Sequence, residues 1–291
     1  MSTLKIKYAL TVGLFLLMAS TCSAQEQDTT VYRVETTDGN EFIGTIVSQD
    51  ETQIILRTKE FGDITISKAA IKKMAPIKVS QMKGGTYWFE NPQSTRYFWQ
   101  PNGYGLKKGE GYYQNVWIFF NQVSVGITDN FLIGAGIVPL FLFAGSSSPV
   151  WIAPKFSVPI KKDKFNMGAG ALMGTVLGEE NANFGIVYGT TTLGSRDKNC
   201  SFGVGYGYAG GDWADAPTLS FSAMIRTGQR GYFLTENYYI GSGSEDLMLF
   251  FIGGRRMIKN SGIDFGLLIP TQTDGELVAI PWLGVTFPFS K

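Results

Sequence analysis

From about Thr86 to its end, the chain alternates between apolar residues and small or polar residues. In the segment VWIAPKFSVPI, Ile152 and Phe156 fall on one face, while Lys155 and Ser157 fall on the other. Successive side chains of a β-strand point to opposite sides, so this pattern predicts strands. The segments are roughly ten residues long, which suits a tilted strand that crosses hydrocarbon better than the shorter strands of a soluble sandwich.

Other segments repeat the alternation. TLSFSAMIR and GIDFGLLIP each have one apolar face, and ELVAIPWLGVTFPF places every second residue from Leu277 to Phe289 on one side. The pattern predicts an all-β protein that contains an antiparallel transmembrane β-barrel over residues 86–291. A soluble barrel or sandwich is the alternative, and in that case the apolar faces would pack against a second sheet.

One glycine-rich segment, SFGVGYGYAGGDW, satisfies the spacing G-x-G-x-x-G at Gly205, Gly207 and Gly210. A phosphate-binding loop of this kind requires a helix directly after its last glycine. Here Asp212 and Pro217 lead through a loop into another alternating segment. We therefore interpret the stretch as a strand followed by a loop.

The connections between segments alternate in length. TDN, KKDK, GQRG and KNSG are short, whereas AGSSSP, GEENAN, AGGDWADAP, GSGSED and TQTDGE are longer, and GSRDKN is the least clear case. Bacterial barrels have short periplasmic turns and longer outer loops. If the strand from Tyr113 to Ile127 descends, TYWFENPQSTRYFWQ is the candidate for an ascending first strand. The count is then about twelve, with ten as the alternative.

Residues 31–77 have a different pattern, with four short alternating runs followed by a predicted helical turn from Lys68 to Met74. Asp38-Gly39 is a hairpin signal. The stretch DGNEFIGTIVSQD resembles the first motif of Sm-like proteins, and the resemblance implies a small five-stranded SH3-like or Sm-like barrel. Residues 25–30 and 78–85 are read as linkers.

The first residues have the order of a secretory leader. Lys5 and Lys7 precede an apolar run, and the small residues Cys22-Ser23-Ala24 follow it. This pattern predicts a signal peptide over residues 1–24, too short to span a bilayer. Lipidation at Cys22 is the alternative.

Composition restricts the chemistry. The chain has 36 glycines, 14% aromatic residues, no histidine and a net charge of +1. Without histidine, the commonest general base and metal ligand are missing. We therefore expect no enzyme activity, no metal site and no cofactor, and the lack of a basic excess predicts no nucleic-acid partner.

Inward-facing charges are the candidate functional residues, because they contact whatever occupies the lumen. Alternation places four of them inside, and the register leaves the fifth, Arg255, open. The candidates are Lys155, Arg226, Glu236, Asp264 and Arg255. Their simplest role is to pair with one another or with other polar groups in a closed barrel.

Aromatic residues near strand ends are expected to form girdles at the membrane interfaces. The predicted girdle residues are Tyr112, Tyr113, Trp117, Trp151, Tyr238, Tyr239 and Trp282. The chain ends in Gly284-x-x-Phe287-x-Phe289, which resembles the insertion signal of outer-membrane barrels, although Ser290 and Lys291 follow it.

Residues 86–291 thus resemble bacterial outer-membrane β-barrel proteins. The resemblance implies an outer-membrane location, contact with membrane lipid and with the insertion machinery, and a periplasmic N-terminal domain. We expect a narrow pore or a plugged structural barrel, whose residues 31–77 bind a periplasmic protein. The alternative function is a secreted module that binds a lipid or a sugar.

Overall fold

The computed structural model describes residues 30–77, 81–83, 86–143, 145–241, 246–271 and 278–290. The predicted signal peptide, most of the residue 25–30 linker and part of the 78–85 linker lie outside these ranges, as do the predicted strand positions around Leu277. The chain divides between Tyr87 and Trp88 into two compact units, which are described separately.

The first unit contains a five-stranded antiparallel sheet. Its strands are β1 (Val31–Thr36), β2 (Glu41–Gln49), β3 (Gln53–Thr58), β4 (Gly62–Ser67) and β5 (Ile71–Pro76). The spatial order is β4-β3-β2-β1-β5. Val34, Ile54, Leu56 and Ile66 form its buried core. A two-stranded pair, β6 (Met82–Lys83) and β7 (Thr86–Tyr87), follows.

The predicted helical turn from Lys68 to Met74 was too long. Only Lys68–Ala70 form a single 3-10 turn, and Ile71 already begins β5. Strand pairing decides the difference, because Ile71 and Met74 lie opposite Thr36 and Val34 of β1 and take part in its ladder.

The second unit is a closed antiparallel barrel of twelve strands. Its strands are β8 (Glu110–Val116), β9 (Phe120–Gly126), β10 (Phe131–Ile137), β11 (Ser148–Lys161), β12 (Phe165–Leu177), β13 (Asn183–Gly194), β14 (Lys198–Ala209), β16 (Thr218–Arg226), β17 (Gly231–Ile240), β18 (Leu247–Ile258), β19 (Ser261–Pro270) and β20 (Ile280–Ser290). Each pairs with the next, and β20 pairs with β8 to close the sheet. A short strand, β15 (Asp212–Trp213), pairs with the end of β14.

A five-residue helix, Pro139–Phe143, lies in the connection between β10 and β11. Among the described residues, no helix is long and apolar enough to cross a membrane.

The predicted first strand was wrong, although the count of twelve is confirmed. Within TYWFENPQSTRYFWQ, only Thr86 and Tyr87 belong to a strand, and they are part of the first unit. The predicted strand from Tyr113 to Ile127 is instead two strands, β8 and β9, which supply the twelfth member. A tight hairpin separates them at Trp117 and Ile118, which adopt positive φ angles of 51° and 68°.

With the exception of the three-residue hairpin at 117–119, the connections sort by length to the two ends of the barrel. One end, here called the short-turn end, carries the turns at residues 127–130, 162–164, 195–197, 227–230 and 259–260. The opposite end, the long-loop end, carries the connections at residues 117–119, 138–147, 178–182, 210–217, 241–246 and 271–279. Glu110 and Ser290 pair with each other, so the barrel begins and ends at the short-turn end.

The apolar face of the strands points away from the barrel interior. Exposed apolar side chains on this face include Ile152, Phe156, Val158, Phe202, Leu219, Phe265, Leu283 and Phe287. The alternative of a sandwich predicted that a second sheet would cover these faces. The sheet instead closes on itself, so the apolar band remains on the outer surface.

The glycine-rich segment lies in β14 and in the connection after it. Phe202, Val204 and Tyr206 are exposed on the outer face, while Ser201 and Gly205 are buried inside. Gly210 lies beyond the strand in the loop. The spacing of the glycines therefore follows the two-residue repeat of a strand.

Candidate functional site

The interior of the barrel is occupied by residues 88–109, here called the plug. The plug follows β7, lies between the strands and returns to the start of β8 at Glu110. Its buried residues include Phe89, Gln93, Thr95, Arg96, Tyr97, Phe98, Gln100, Asn102, Tyr104 and Leu106. Its first part, residues 88–100, belongs to the stretch TYWFENPQSTRYFWQ that was expected to form the first strand.

The plug consists of two arms that bond to each other. The Asn102 backbone N–H donates to the Thr95 carbonyl at 3.0 Å, and the Asn102 side chain donates to the Ser94 carbonyl at 3.0 Å. Arg96 and Pro101 form an isolated antiparallel bridge. Pro92 and Pro101 lack a backbone N–H, which prevents this segment from forming a central strand of the wall.

Glu236 of β17 holds the tip of the plug. Its Oε2 accepts the backbone N–H groups of Phe98, Trp99 and Gln100 at 2.9–3.0 Å, and its Oε1 accepts the Tyr238 hydroxyl at 2.8 Å. The side chain is fully buried. Three converging amides form a concave site for an anion, so this carboxylate fixes the plug backbone without an ion pair to any cation of the described residues.

Arg255 of β18 binds the plug from below its tip. Its guanidinium forms a bidentate pair with Asp264 of β19 at 2.6 and 2.8 Å. The remaining donors reach the Asn91 side chain, the Gln93 carbonyl and side chain, and the Tyr97 carbonyl at 2.7–3.0 Å. A planar guanidinium suits this use because its donors point in fixed directions.

Lys155 of β11 joins the two arms of the plug. Its Nζ donates to the carbonyl of Thr95 at 3.2 Å and to that of Tyr104 at 2.6 Å. The side chain is only 3% exposed. Because Thr95 and Tyr104 lie on different arms, this one ammonium group links both to the wall.

Two arginines secure the plug at the short-turn end. Arg226 pairs with Asp197 at 3.0 Å and donates to the Phe89 carbonyl at 2.6 Å. Arg196 donates to the Ser94 hydroxyl at 2.6 Å and to the Gly105 carbonyl at 2.8 Å. Arg196 lies in the turn GSRDKN and was missed by the sequence analysis, because a charged residue in a short turn gives no signal that it points inward.

All five predicted lumen residues lie in the interior of the barrel or at its short-turn end. Lys155, Arg226, Glu236 and Arg255 contact the plug directly, and Asp264 acts through Arg255. The register of Arg255, open in the sequence, is fixed by its position opposite Asp264 in the β18–β19 pair. The structure therefore brings these charges together around a segment that was not expected to be inside.

Two glycines of the wall lie where an added Cβ would come close to a neighbouring side chain. A Cβ at Gly203 would lie 2.5 Å from the Ser220 hydroxyl and 3.0 Å from the amide nitrogen of Gln100. A Cβ at Gly262 would lie 2.9 Å from Cγ of Pro92. Ser220 belongs to the wall, so at Gly203 the closest neighbour is not part of the plug. At Gly262 the closest neighbour is the ring of Pro92 in the plug, and a side chain there would press against it.

The predicted aromatic girdle needs correction. Four of its seven members point into the barrel: Tyr112, Trp151, Tyr238 and Trp282. Strand alternation explains this: Trp151 and Lys155 are four residues apart in β11, so both lie on the inward face of the strand. Trp151 donates to the Gln122 side chain at 2.9 Å.

Two other girdle residues do face outward. Tyr113 stacks on Phe287 with ring centroids 6.3 Å apart, and the Tyr239 hydroxyl donates to Asp246 at 2.7 Å. Trp117 lies in the first hairpin and donates to the Pro281 carbonyl at 2.7 Å. Of the C-terminal motif, Phe287 and Phe289 are exposed on the outer face, and Gly284 lies inside.

A cavity of about 460 Å³ lies between the plug and the long-loop end. Trp99, Gln100 and Pro101 at the tip of the plug form part of its lining. Its walls are mainly apolar, with contributions from Phe120, Leu172, Ile186, Ile240, Leu249, Phe251, Leu268 and Trp282. Its volume falls within the usual range for small-molecule sites, roughly 300–1,000 Å³.

The part of the chain that the structure describes contains no cluster of three or more residues suited to hold a metal ion. The absence of a metal or cofactor from the protein stays a prediction.

Comparisons with known proteins add little to this picture. No family model and no curated protein matches the chain. Among solved structures, it is similar to "Outer-membrane expressed OmpT of Vibrio cholerae" at 10% identity, over 90% of this chain and 95% of that one, with a TM-score of 0.33. A score this low carries no argument. The fold assignment rests on the closed sheet itself.

Proposed function

We propose that this protein is an outer-membrane β-barrel whose lumen is held closed by its own plug. In this proposal, the N-terminal unit lies in the periplasm and binds a protein partner there. The protein is not an enzyme in this proposal. The observation that carries the closure is the set of anchors from Glu236, Arg255 and Lys155 to the plug backbone.

The outer surface supports the membrane location. Soluble monomers rarely expose apolar patches of more than a few hundred Å², whereas every long strand here presents apolar side chains outward. Closure of the sheet also leaves no unpaired edge, as a bilayer requires. The alternative of a secreted soluble module would need a cover for this surface.

The topology supports the periplasmic position of the small unit. The plug begins at Trp88 beside Arg226 at the short-turn end, where their ring and guanidinium lie 4.9 Å apart. Short turns face the periplasm in bacterial barrels. The order β4-β3-β2-β1-β5 is compatible with the SH3-like or Sm-like fold expected for residues 31–77, a type of small domain suited to binding a protein segment.

Conductance across a planar bilayer tests the closure. We expect the wild-type protein to be almost non-conducting. Glu236→Ala removes the acceptor of three plug amides, and each hydrogen bond to a charged group contributes about 1.5–3 kcal/mol. Since 1.4 kcal/mol corresponds to a factor of ten, the open fraction should rise at least about tenfold.

Two further variants complete this experiment. Lys155→Met removes a different anchor and should also increase conductance. Glu179→Ala changes an exposed carboxylate at the long-loop end and should have no effect. A steadily open wild-type channel, or equal conductance in all four proteins, would show that the plug does not close the lumen.

A further inference from the structure

The cavity above the plug has an uneven distribution of polar groups. Its lining contains two cationic side chains, Arg96 and Lys155, and no Asp or Glu among the described residues. Both cations are almost fully buried, with 7% and 3% of their surface exposed. Buried charges are normally paired with an opposite charge, so an unbalanced pair of cations requires an explanation.

Neither cation has a carboxylate partner within the described part of the chain. Lys155 uses its ammonium group on two plug carbonyls. The side chain of Arg96 has one hydrogen bond, from Nη1 to Oε1 of Gln114 at 3.3 Å, and its guanidinium lies 5.9 Å from the Tyr112 ring. The other guanidinium donors of Arg96 have no acceptor among the described residues, and Arg96 is part of the cavity lining.

A tyrosine hydroxyl adds a further polar group to the cavity lining. Tyr188 lines the same cavity as Arg96. Its hydroxyl forms no hydrogen bond to another described residue. The hydroxyl of Tyr238, which also lines the cavity, instead donates to Glu236. Arg96 and Tyr188 thus both bring hydrogen-bond donors to a cavity whose lining is largely apolar.

We propose that this cavity binds a small apolar molecule that carries one carboxylate. The apolar body would lie between aromatic and aliphatic side chains such as Phe120, Phe251 and Leu249, and the carboxylate would accept hydrogen bonds from Arg96 and Tyr188. Arginine is well suited to this role because it can bind both carboxylate oxygens at once. The inference rests on the proposed function only in that the plug closes the cavity on one side.

The long-loop end does not contradict an anionic ligand. Its connections contain Glu179, Glu180, Asp212 and Asp215, all exposed. Interactions between exposed charges are largely screened beyond about 8 Å at physiological ionic strength. These carboxylates should slow the entry of an anion at low salt and leave its affinity for the buried cations nearly unchanged.

Calorimetric titration of the full-length protein in nanodiscs tests the proposal, with empty nanodiscs as reference. The probes are 2-naphthoate and its uncharged analogue 2-naphthamide. We expect 2-naphthoate to bind more tightly than the amide. Arg96→Gln should weaken the binding of 2-naphthoate about tenfold or more, as expected for loss of a charged hydrogen bond. The affinity for 2-naphthamide should change less than about twofold.

Three additional variants keep the result interpretable. Leu249→Trp fills the cavity and should abolish binding of both probes, while Lys162→Gln alters an exposed turn and should change neither. If Arg96→Gln fails to fold, Tyr188→Phe takes its place, because it removes only a hydroxyl of the wall. It should weaken the binding of 2-naphthoate several-fold, an order-of-magnitude expectation for one hydrogen bond. Heat-modifiable migration verifies the fold of each variant.

The outcomes separate this inference from the proposed function. Absence of 2-naphthoate binding, or equal binding of both probes with no effect of Arg96→Gln, would overturn the carboxylate site even if conductance demonstrates closure by the plug. Selective loss of 2-naphthoate binding in Arg96→Gln would support the site, whatever the conductance result.

Discussion

Several charged residues of the lumen bind plug residues that are far away in the sequence. Glu236 is bound by amides of residues 98–100, and Arg255 reaches Asn91, Gln93 and Tyr97. Strand alternation predicted that Glu236, Asp264 and Lys155 point inward, because parity depends on neighbouring residues alone. The plug partners of Lys155 lie 51 and 60 residues away and those of Glu236 lie 136–138 residues away, so no local sequence pattern identifies them.

The contribution of the Arg255–Asp264 ion pair to stability can be tested by a single substitution. Asp264→Ala leaves the guanidinium buried without its carboxylate, and breaking a buried pair in this way costs about 3–5 kcal/mol. We expect the free energy of unfolding, measured by urea titration in detergent micelles, to fall by about that amount. Glu179→Ala is the matched control, because its carboxylate is exposed. An Asp264→Ala protein as stable as the wild type would contradict the importance of this pair.

Strand elements differ in how far the sequence predicted them. Long strands such as β11 and β16 follow the alternation closely, since one face is apolar along its whole length. The plug was misread because its aromatic content is typical of strands, although Pro92 and Pro101 interrupt any ladder. The hairpin between β8 and β9 was missed because WIF contains none of the residues that favour positive φ.

This hairpin is therefore a strained element. Ile118 has φ of 68° and is 77% exposed, and the left-handed conformation costs a β-branched residue roughly 1–2 kcal/mol. Asn115 compensates in part, since its side chain bonds the backbone N–H and carbonyl of Ile118 at 3.1–3.2 Å.

Ile118→Gly should relieve the strain at Ile118 and raise the free energy of unfolding by about 1 kcal/mol. Ile118→Val keeps the branched Cβ at the same φ and should remain within about 0.5 kcal/mol of the wild type. Urea titration in micelles measures both. If Ile118→Gly is less stable than Ile118→Val, the hairpin does not hold this residue under strain.

At the scale of the whole molecule, charge is distributed unequally between the two ends of the barrel. The long-loop connections at residues 117–119, 138–147, 178–182, 210–217, 241–246 and 271–279 contain no Lys or Arg and several Asp and Glu residues. The short-turn end carries Lys162, Lys164 and Lys259, which are exposed, together with Arg196 and Arg226. Among the connections between strands, a protease that cleaves after basic residues should therefore cut at the short-turn end, and one that cleaves after glutamate should cut at the long-loop end.

Proteolysis of intact cells that carry the protein in their outer membrane uses this asymmetry to test the orientation. With the long-loop end outside, a glutamate-specific protease should cleave at Glu179 or Glu180, and trypsin should leave the chain intact until the outer membrane is permeabilised. The double variant Glu179→Gln/Glu180→Gln should lose the first cleavage, as mass spectrometry of the fragments can verify. Trypsin cleavage at Lys162 or Lys259 in intact cells would place the short turns on the outer surface and contradict this orientation.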